Sequence, residues 1–278
     1  MLSDSIANLE LGGAMDIIVC MKWVPDTSEA DLVIDKGGRD IEKDDLDHDM
    51  NDWDRFAIEE AVRIKERVGG KVTVVTVAPE AAEEMLRECL ARGADEAYHL
   101  WDKSFEGSDG FAVACILAAF IKKRSWGLAL TGTLADDDCG GQVGGMLGAM
   151  LGAPSSTLVS AIAVEDRKVA FNRELEGGLY ERIEMDLPAV LSVATGLNEP
   201  RFVSIRAVRR VASAEIPMLD LRELGLEESQ VGAAGSKVEI EQVSMPPEGE
   251  GAEIISGKPE EAAAKLAAIL KEKGGIVS

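Results

Sequence analysis

The chain has 278 residues, 28 of them glycine, with 46% hydrophobic and 29% charged residues, and 51 acids against 29 bases give a formal net charge of −22. That length builds one large α/β domain with an appendage or two small domains, either with an ample core, and the apolar fraction excludes disorder throughout. The charge excludes a nucleic-acid partner, whose phosphates it would repel. Cys20, Cys89, Cys115 and Cys139 form no CxxC, and with only 2 histidines no zinc or iron–sulfur site is expected. Such cysteine usage fits a reducing cytoplasm.

From the N-terminus, Met1 to Ala14 carries no basic residue and two acids, so it is not read as a signal peptide. Met15 precedes the first strand pattern, and residues 1–14 read as an extension or a mis-called start. Asp16 to Met21 is a short apolar run of the kind a buried parallel strand uses. Asp26 to Asp54 is too polar for a core and reads as a surface excursion, His48 within it as a solvated residue. Ala57, Ala61, Ile64 and Val68 recur at helical spacing, and Gly69 and Gly70 end that helix. Val72 to Val77 is a β-branched strand, and Pro79 opens a helix that Gly93 stops at Arg92. The cycle continues with Glu96 to Leu100 as strand (His99 takes no role), Asp109 to Lys123 as helix, Gly127 to Thr131 as strand and Gly141 to Leu151 as helix. The longest apolar run, residues 111–121, is 11 residues long, short of the ~20 that a membrane-spanning helix needs.

Strands alternating with helices predict an α/β fold with a doubly wound, mostly parallel sheet. After Pro154 the alternation stops. Lys168 to Asn172, Leu179 to Met185 and Ala189 to Val193 read as strands without intervening helices, hence a small antiparallel annex. Glu227 to Gly257 is acidic and weakly patterned, a linker or arm, and Pro259 to Lys273 forms a final helix with Ala263, Leu266, Ala267 and Leu270 on one face. The expected organisation is an N-terminal extension (1–14), a nucleotide-binding α/β domain with a recognition loop (15–226), and a linker with a C-terminal helical arm (227–278).

Open α/β sheets bind ligands beyond the carboxyl ends of their strands, here after Met21, Val77 and Thr131. Neither GxGxxG nor GxxxxGK[ST] is present. The segment from Thr131 to Gly145 (TGTLADDDCGGQVGG) leads instead into a small-residue helix. Glycines admit close approach of the backbone, and a helix N-terminus offers free N–H groups to a phosphate. The alternative is a tight connection packed through its glycines. Asp136, Asp137 and Asp138 are adjacent loop carboxylates, for which capping or solvation is commoner than a shared cation. Beside a phosphate they must point away or bind hydroxyls. Two isolated histidines support no Ser/His/Asp or Cys/His arrangement, so no catalytic residue is assigned. Arg201, Arg206, Arg209 and Arg210 form a basic cluster without an intervening acid, either a solubilising turn, a docking surface for an acidic partner or a contact to a cofactor phosphate.

Four blocks carry a family resemblance: Val19 to Lys22 (VCMK); Asn51 to Glu66 (NDWDRFAIEEAVRIKE); Ala135 to Cys139 (ADDDC) with Gln142 and Gly144; and Arg173 to Gly178 (RELEGG) through Leu187 to Val190 (LPAV) to Leu197 to Arg201 (LNEPR). With them the chain, from Met15 to about Leu226, resembles the beta subunit of electron-transfer flavoproteins, and the terminal helix is similar to that family's arm. The resemblance implies a heterodimer with an alpha subunit that holds the electron-carrying FAD. It implies electrons received from acyl-CoA-type dehydrogenases and passed to a quinone-linked oxidoreductase or another acceptor. It further implies AMP in the beta subunit of the ordinary type, or a second FAD accepting hydride from NADH in the bifurcating type. The family's nucleotide contacts fall on Cys20 through its backbone, on Asn51, Asp52, Trp53 and Asp54, on Val77, and on Thr133, Leu134, Ala135, Asp136, Asp137, Asp138, Cys139, Gln142, Val143, Gly144 and Gly145. Partner recognition falls on Leu197, Asn198, Glu199, Pro200 and Arg201, with Leu197 as an apolar anchor. Glu176, Gly177 and Gly178 fall near the subunit and flavin interface.

Three positions depart from the family pattern. Asp52 replaces its proline, one residue is added between Asp138 and Gln142, and its lysine-rich run becomes Arg206, Arg209 and Arg210. The triplet Gln142 to Gly144 looks more like the bifurcating type, whereas Asp136 to Cys139 looks like the AMP type. A free-standing nucleotide-binding module of the same layout has no need of the Leu197 to Arg201 block or of the arm.

Overall fold

A computed structural model describes residues 14–247 and 251–273. The expected N-terminal extension, but for Ala14, lies outside the described residues. Five strands, β1 (Ile17–Cys20), β4 (Val72–Thr76), β5 (Glu96–Leu100), β6 (Leu128–Gly132) and β10 (Ala189–Val193), form the parallel centre of a nine-stranded sheet. The short β11 (Met218–Leu219) pairs parallel with β5 at one edge, and β7 (Ser155–Glu165), β8 (Lys168–Leu175) and β9 (Leu179–Asp186) complete the other. A separate two-stranded antiparallel sheet joins β2 (Trp23–Pro25) to β3 (His48–Met50), across the base of the acidic excursion. There His48 stacks on Trp23 with ring centroids 3.9 Å apart.

The central strands are apolar on both faces because both faces are covered. Ile17, Val19, Val74, Leu130 and Leu191 pack with α1 (Asp52–Val68) and α2 (Glu83–Arg92). Ile18, Val75, Ala129 and Val190 pack with α3 (Gly110–Ile121) and α4 (Val143–Leu151). Asp109 caps α3 by accepting from Ala112 N at 2.9 Å, while Gly93 and Gly152 follow the last residues of α2 and α4 at positive φ, as expected of C-terminal glycines.

Two strand readings need correction. Ala189 to Val193 belongs to the parallel centre, between β6 and β7, and not to the antiparallel annex, which is β7–β8–β9. β7 itself carries no clean alternation in its sequence, because Leu158 takes φ 57 and the register shifts between Val159 and Ala161.

α5 (Ile205–Val211) and α6 (Leu221–Leu224) flank β11. The stretch from Glu227 opens packed: Val231 is 1% exposed, just before α7 (Gly232–Gly235). A β-carbon on Gly232 would overlap the backbone of Ser104. Asp109 Oδ2 then accepts from Lys237 N at 2.6 Å and Val238 N at 2.9 Å, so the extended run begins there, some ten residues beyond the sequence expectation. α8 (Pro259–Glu272) carries no buried residue. No helix among the described residues is long and apolar enough to cross a membrane.

Candidate functional site

At the carboxyl ends of β1 and β6, Asp54 is the knot. It is 3% exposed, and its carboxylate accepts from Lys22 N and Gly132 N, both at 2.7 Å. Burial pushes its carboxyl up to about 7, against the pull of the two N–H bonds. Beside it, burial and the Asp54 charge push the Cys20 thiol up, so this side chain is an inert packing group and only its backbone faces the strand end.

Asn51, 1% exposed, stitches the helix start to the aspartate loop. Its Nδ2 donates to Leu134 O at 2.9 Å and its Oδ1 accepts from Asp136 N at 3.1 Å. Asp136 Oδ2 in turn accepts from Asp52 N at 2.8 Å, which sets a carboxylate on the first turn of α1, where the helix dipole favours it. Lys22 Nζ reaches Asp137 Oδ1 at 2.6 Å and Asp138 Oδ2 at 2.9 Å. Burial pulls the Lys22 ammonium down, but the two aspartates outweigh it and hold it charged. All three loop carboxylates therefore have partners within the protein. Lys22 stands in the first resemblance block without a role. Only its separation from the aspartates by more than a hundred residues hid the pairing.

Cys139 turns the loop at φ 49, its N–H bonded to Ala135 O at 2.9 Å. Beyond it the first hydrogen bond of α4 runs from Met146 N to Gln142 O, leaving the N–H groups of Val143, Gly144 and Gly145 ahead of the ladder. Gln142 is the exposed N-cap and makes no side-chain cap bond. The two glycines differ. Gly144 is buried against Ser192 and Thr131, whereas a β-carbon on Gly145 would meet nothing within 4 Å. Thr133 is a structural side chain: its Oγ1 donates to Ser192 O at 3.1 Å and accepts from Leu158 N at 3.2 Å. Trp53 and Val77 are half-buried beside this crest, with Trp53 Cβ packed on Gly132. The expected nucleotide residues thus lie around the carboxyl ends of β1, β4 and β6 and the N-terminus of α4, where Asp136, Asp137 and Asp138 each have a partner.

The expected recognition residues lie elsewhere and mostly face inward. Leu197 is half-buried and packs against the core, so as an exposed anchor it is corrected. Asn198 Nδ2 donates to Phe56 O at 3.0 Å and Glu60 Oε2 at 3.1 Å, and Arg63 Nη2 donates to Glu199 O at 3.0 Å. Arg201 is spent on α1, with Nε 2.9 Å from Glu59 Oε2 and Nη1 2.8 Å from Glu66 Oε1, and these partners push its guanidinium up. Pro200 lines a cleft of about 650 Å³ between α2 and the segment that follows. What faces outward there is Phe202 (94% exposed), Ile205 (74%) and Val208 (49%), among exposed Arg206, Arg209 and Arg210. The exposed apolar side chains of this segment thus begin at Phe202, beyond the Leu197 to Arg201 block.

Residues 40–224 match the model of the electron transfer flavoprotein domain family. The chain is 36% identical over 265 residues to electron transfer flavoprotein subunit beta of Methylophilus methylotrophus, covering 94% of this chain and 100% of that protein. It is 36% identical over 253 residues to the same-named protein of Thermoanaerobacterium thermosaccharolyticum, covering 91% and 96%. To the caffeyl-CoA reductase-Etf complex subunit CarD of Acetobacterium woodii it is 38% identical over 262 residues, covering 93% and 99%.

Proposed function

This chain belongs to the electron transfer flavoprotein family, as a beta-type subunit, and on that premise we propose that it binds AMP as a structural nucleotide within a heterodimer whose alpha subunit holds the electron-carrying FAD. It is an electron-carrier subunit and not an enzyme with its own organic substrate. In this reading the carrier takes electrons from acyl-CoA-type dehydrogenases in the cytoplasm and yields them to a quinone-linked oxidoreductase. Residues 15–226, with the packed stretch that follows, form the nucleotide-binding body, and α8 is the arm that meets the alpha subunit.

The observation that carries the AMP assignment is the pairing of Asp136, Asp137 and Asp138 with Asn51, Asp52 and Lys22 groups beside the free amides of α4. Those amides would take the phosphate, Gly145 leaves room for its approach, and Cys20, Val77 and Trp53 border the rest. AMP supplies no redox chemistry; bound, it would be held by residues at the ends of β1, β4 and β6. Docking falls to Phe202, Ile205 and Val208, an apolar patch ringed by arginines that suits an acidic partner with an apolar pocket.

A second reading places a second FAD on the same crest. The Gln142 to Gly144 triplet and the 38% identity to a reductase-complex subunit favour it. That flavin would supply hydride acceptance from NADH, and the residues that hold it would be the same. The optical spectrum and extracted nucleotide of the copurified heterodimer decide. One FAD with AMP supports the first reading, two FAD the second, and one FAD without any adenine mononucleotide overturns both.

A further inference from the structure

The patch that carries Ile205 and Val208 is a helix too small to hold itself. α5 has 7 residues and no buried side chain, whereas isolated helices shorter than ~12–15 residues are marginal in water. Its N-terminus is capped internally, Ser204 Oγ accepting from Ala207 N at 3.2 Å. Its C-terminal end is held from another helix. Arg87 of α2 donates through Nη1 to Val211 O at 3.1 Å, Ala212 O at 3.0 Å and Ala214 O at 3.1 Å. A cation on these last carbonyls also complements the negative end of the helix dipole. On its far side Arg87 is clamped by Glu83, one turn earlier, through Nε at 3.0 Å and through Nη2.

The same device fixes the entry to the segment. Arg92, five residues on, donates to Arg201 O at 2.9 Å and is backed by Glu88 at 2.6 Å. Between the two grips the chain arches beside the 650 Å³ cleft, at whose rim Phe202, Val203 and Val208 stand. If the C-terminal grip is released, the helix frays and these apolar side chains can fold into the cleft, the arrangement that burial favours. The partner must then reorder them at the moment of binding.

We propose that Arg87 is a positioning residue for dehydrogenase docking: by capping α5 from α2 it keeps Ile205 and Val208 presented to the partner. The proposal rests on the docking role assigned above to Phe202, Ile205 and Val208. It makes Arg87 act on encounter and affinity, and on neither the electron-transfer step nor nucleotide retention.

The test uses the copurified heterodimer, reduced by an acyl-CoA-type dehydrogenase with its acyl-CoA, with the heterodimer as the varied component. Arg87→Met is expected to raise KM about ten-fold, one charge-assisted cap being lost, with kcat within about two-fold and adenine nucleotide content unchanged. Arg87→Lys restores part of the affinity, because an ammonium can still reach one or two of the carbonyls. Hydrogen exchange of the amides of Val208 to Val211 should quicken in Arg87→Met and in no other helix. Ile205→Ala separates the two ideas. A raised KM in Ile205→Ala with an unchanged KM in Arg87→Met overturns the positioning role and leaves the docking surface standing. Unchanged KM in both variants overturns the docking reading and the proposal with it. A fall in kcat or nucleotide content in Arg87→Met makes Arg87 a general structural residue and also overturns the proposal.

Discussion

Gly144 lies so close to Ser192 that a β-carbon on it would overlap the serine Oγ and come within 2.9 Å of Thr131 Oγ1. Close packing of α4 on the sheet is enough to require this glycine. Gly144→Val therefore forces α4 off β6 and β10, and should cost about 1–3 kcal/mol of stability. Gly145→Val projects into open space and should leave the unfolding midpoint nearly unchanged while obstructing the phosphate. Thermal unfolding and extracted nucleotide, measured on both variants, check the pair. Nucleotide at the wild-type level in Gly145→Val would remove the α4 amides from the site.

Lys22 is the counterion of the aspartate loop, paired with Asp137 and Asp138. In Lys22→Met, Asp137 and Asp138 lose their partner, and their charge bears directly on a phosphate at the α4 N-terminus. AMP affinity should fall a few-fold, the usual scale for losing exposed ion pairs. Added salt screens the exposed carboxylates and should recover part of the loss in the variant, while changing the wild type less. Equilibrium dialysis against labelled AMP at two ionic strengths measures both effects; a variant as tight as wild type would detach Lys22 from the site.

The lesson about legibility is local. Continuous apolar runs such as Val72 to Thr76 and Leu128 to Thr131 revealed buried parallel strands directly, because both faces of each strand are covered. β7 was hidden by its bulge at Leu158, and the pairing of β10 with β6 by a connection that leaves the sheet centre and returns. At the site, residue types were visible but their partners were not. Asn51 with Leu134 and Lys22 with Asp138 are contacts across 83 and 116 positions, which only the fold brings together. Leu197 illustrates the reverse error. An apolar residue in a loop motif looks like an anchor until the packing shows that it faces the core.

Leu197 and Ile205 should accordingly separate stability from docking. Leu197→Ala removes a side chain packed on the core and should cost about 2 kcal/mol in urea unfolding. Ile205→Ala, at 74% exposure, should leave unfolding unchanged and weaken the dehydrogenase complex by about 1–3 kcal/mol. Surface plasmon resonance on the intact heterodimer gives the second quantity. A stability loss in Ile205→Ala equal to that of Leu197→Ala would contradict the division.

Asp54 sets a pH signature. Its folded-state pKa, raised by burial to about 7, lies above the ordinary 3.8 of an unfolded aspartate. The folded state therefore binds the extra proton between these values. The contribution to stability is full below the unfolded pKa and is lost as the pH rises towards the folded one. Asp54→Asn cannot titrate, so its unfolding free energy should vary less across this window, though its overall level drops because one of the two N–H groups loses its acceptor. Urea unfolding of both proteins across the window tests the slope. Parallel curves would show that Asp54 stays ionised throughout.

Removing the arm should affect assembly and not the body. No residue of α8 is buried, and Leu266 and Leu270 stand 48% and 41% exposed on one face. An apolar stripe on a helix with no buried residue contributes little to the stability of the sheet domain, yet leaves apolar area to be covered by a second chain. Deleting residues 259–278 should therefore keep the unfolding midpoint of the isolated beta chain within about 2 °C. The same deletion should sharply lower the yield of alpha subunit recovered on an affinity tag carried by the beta chain. Replacing Leu266 and Leu270 together by Ser keeps the helix and removes only the stripe, and should reproduce the loss. Full recovery of the alpha subunit with the Ser variant would mean that the arm's apolar face is not what holds the two chains together.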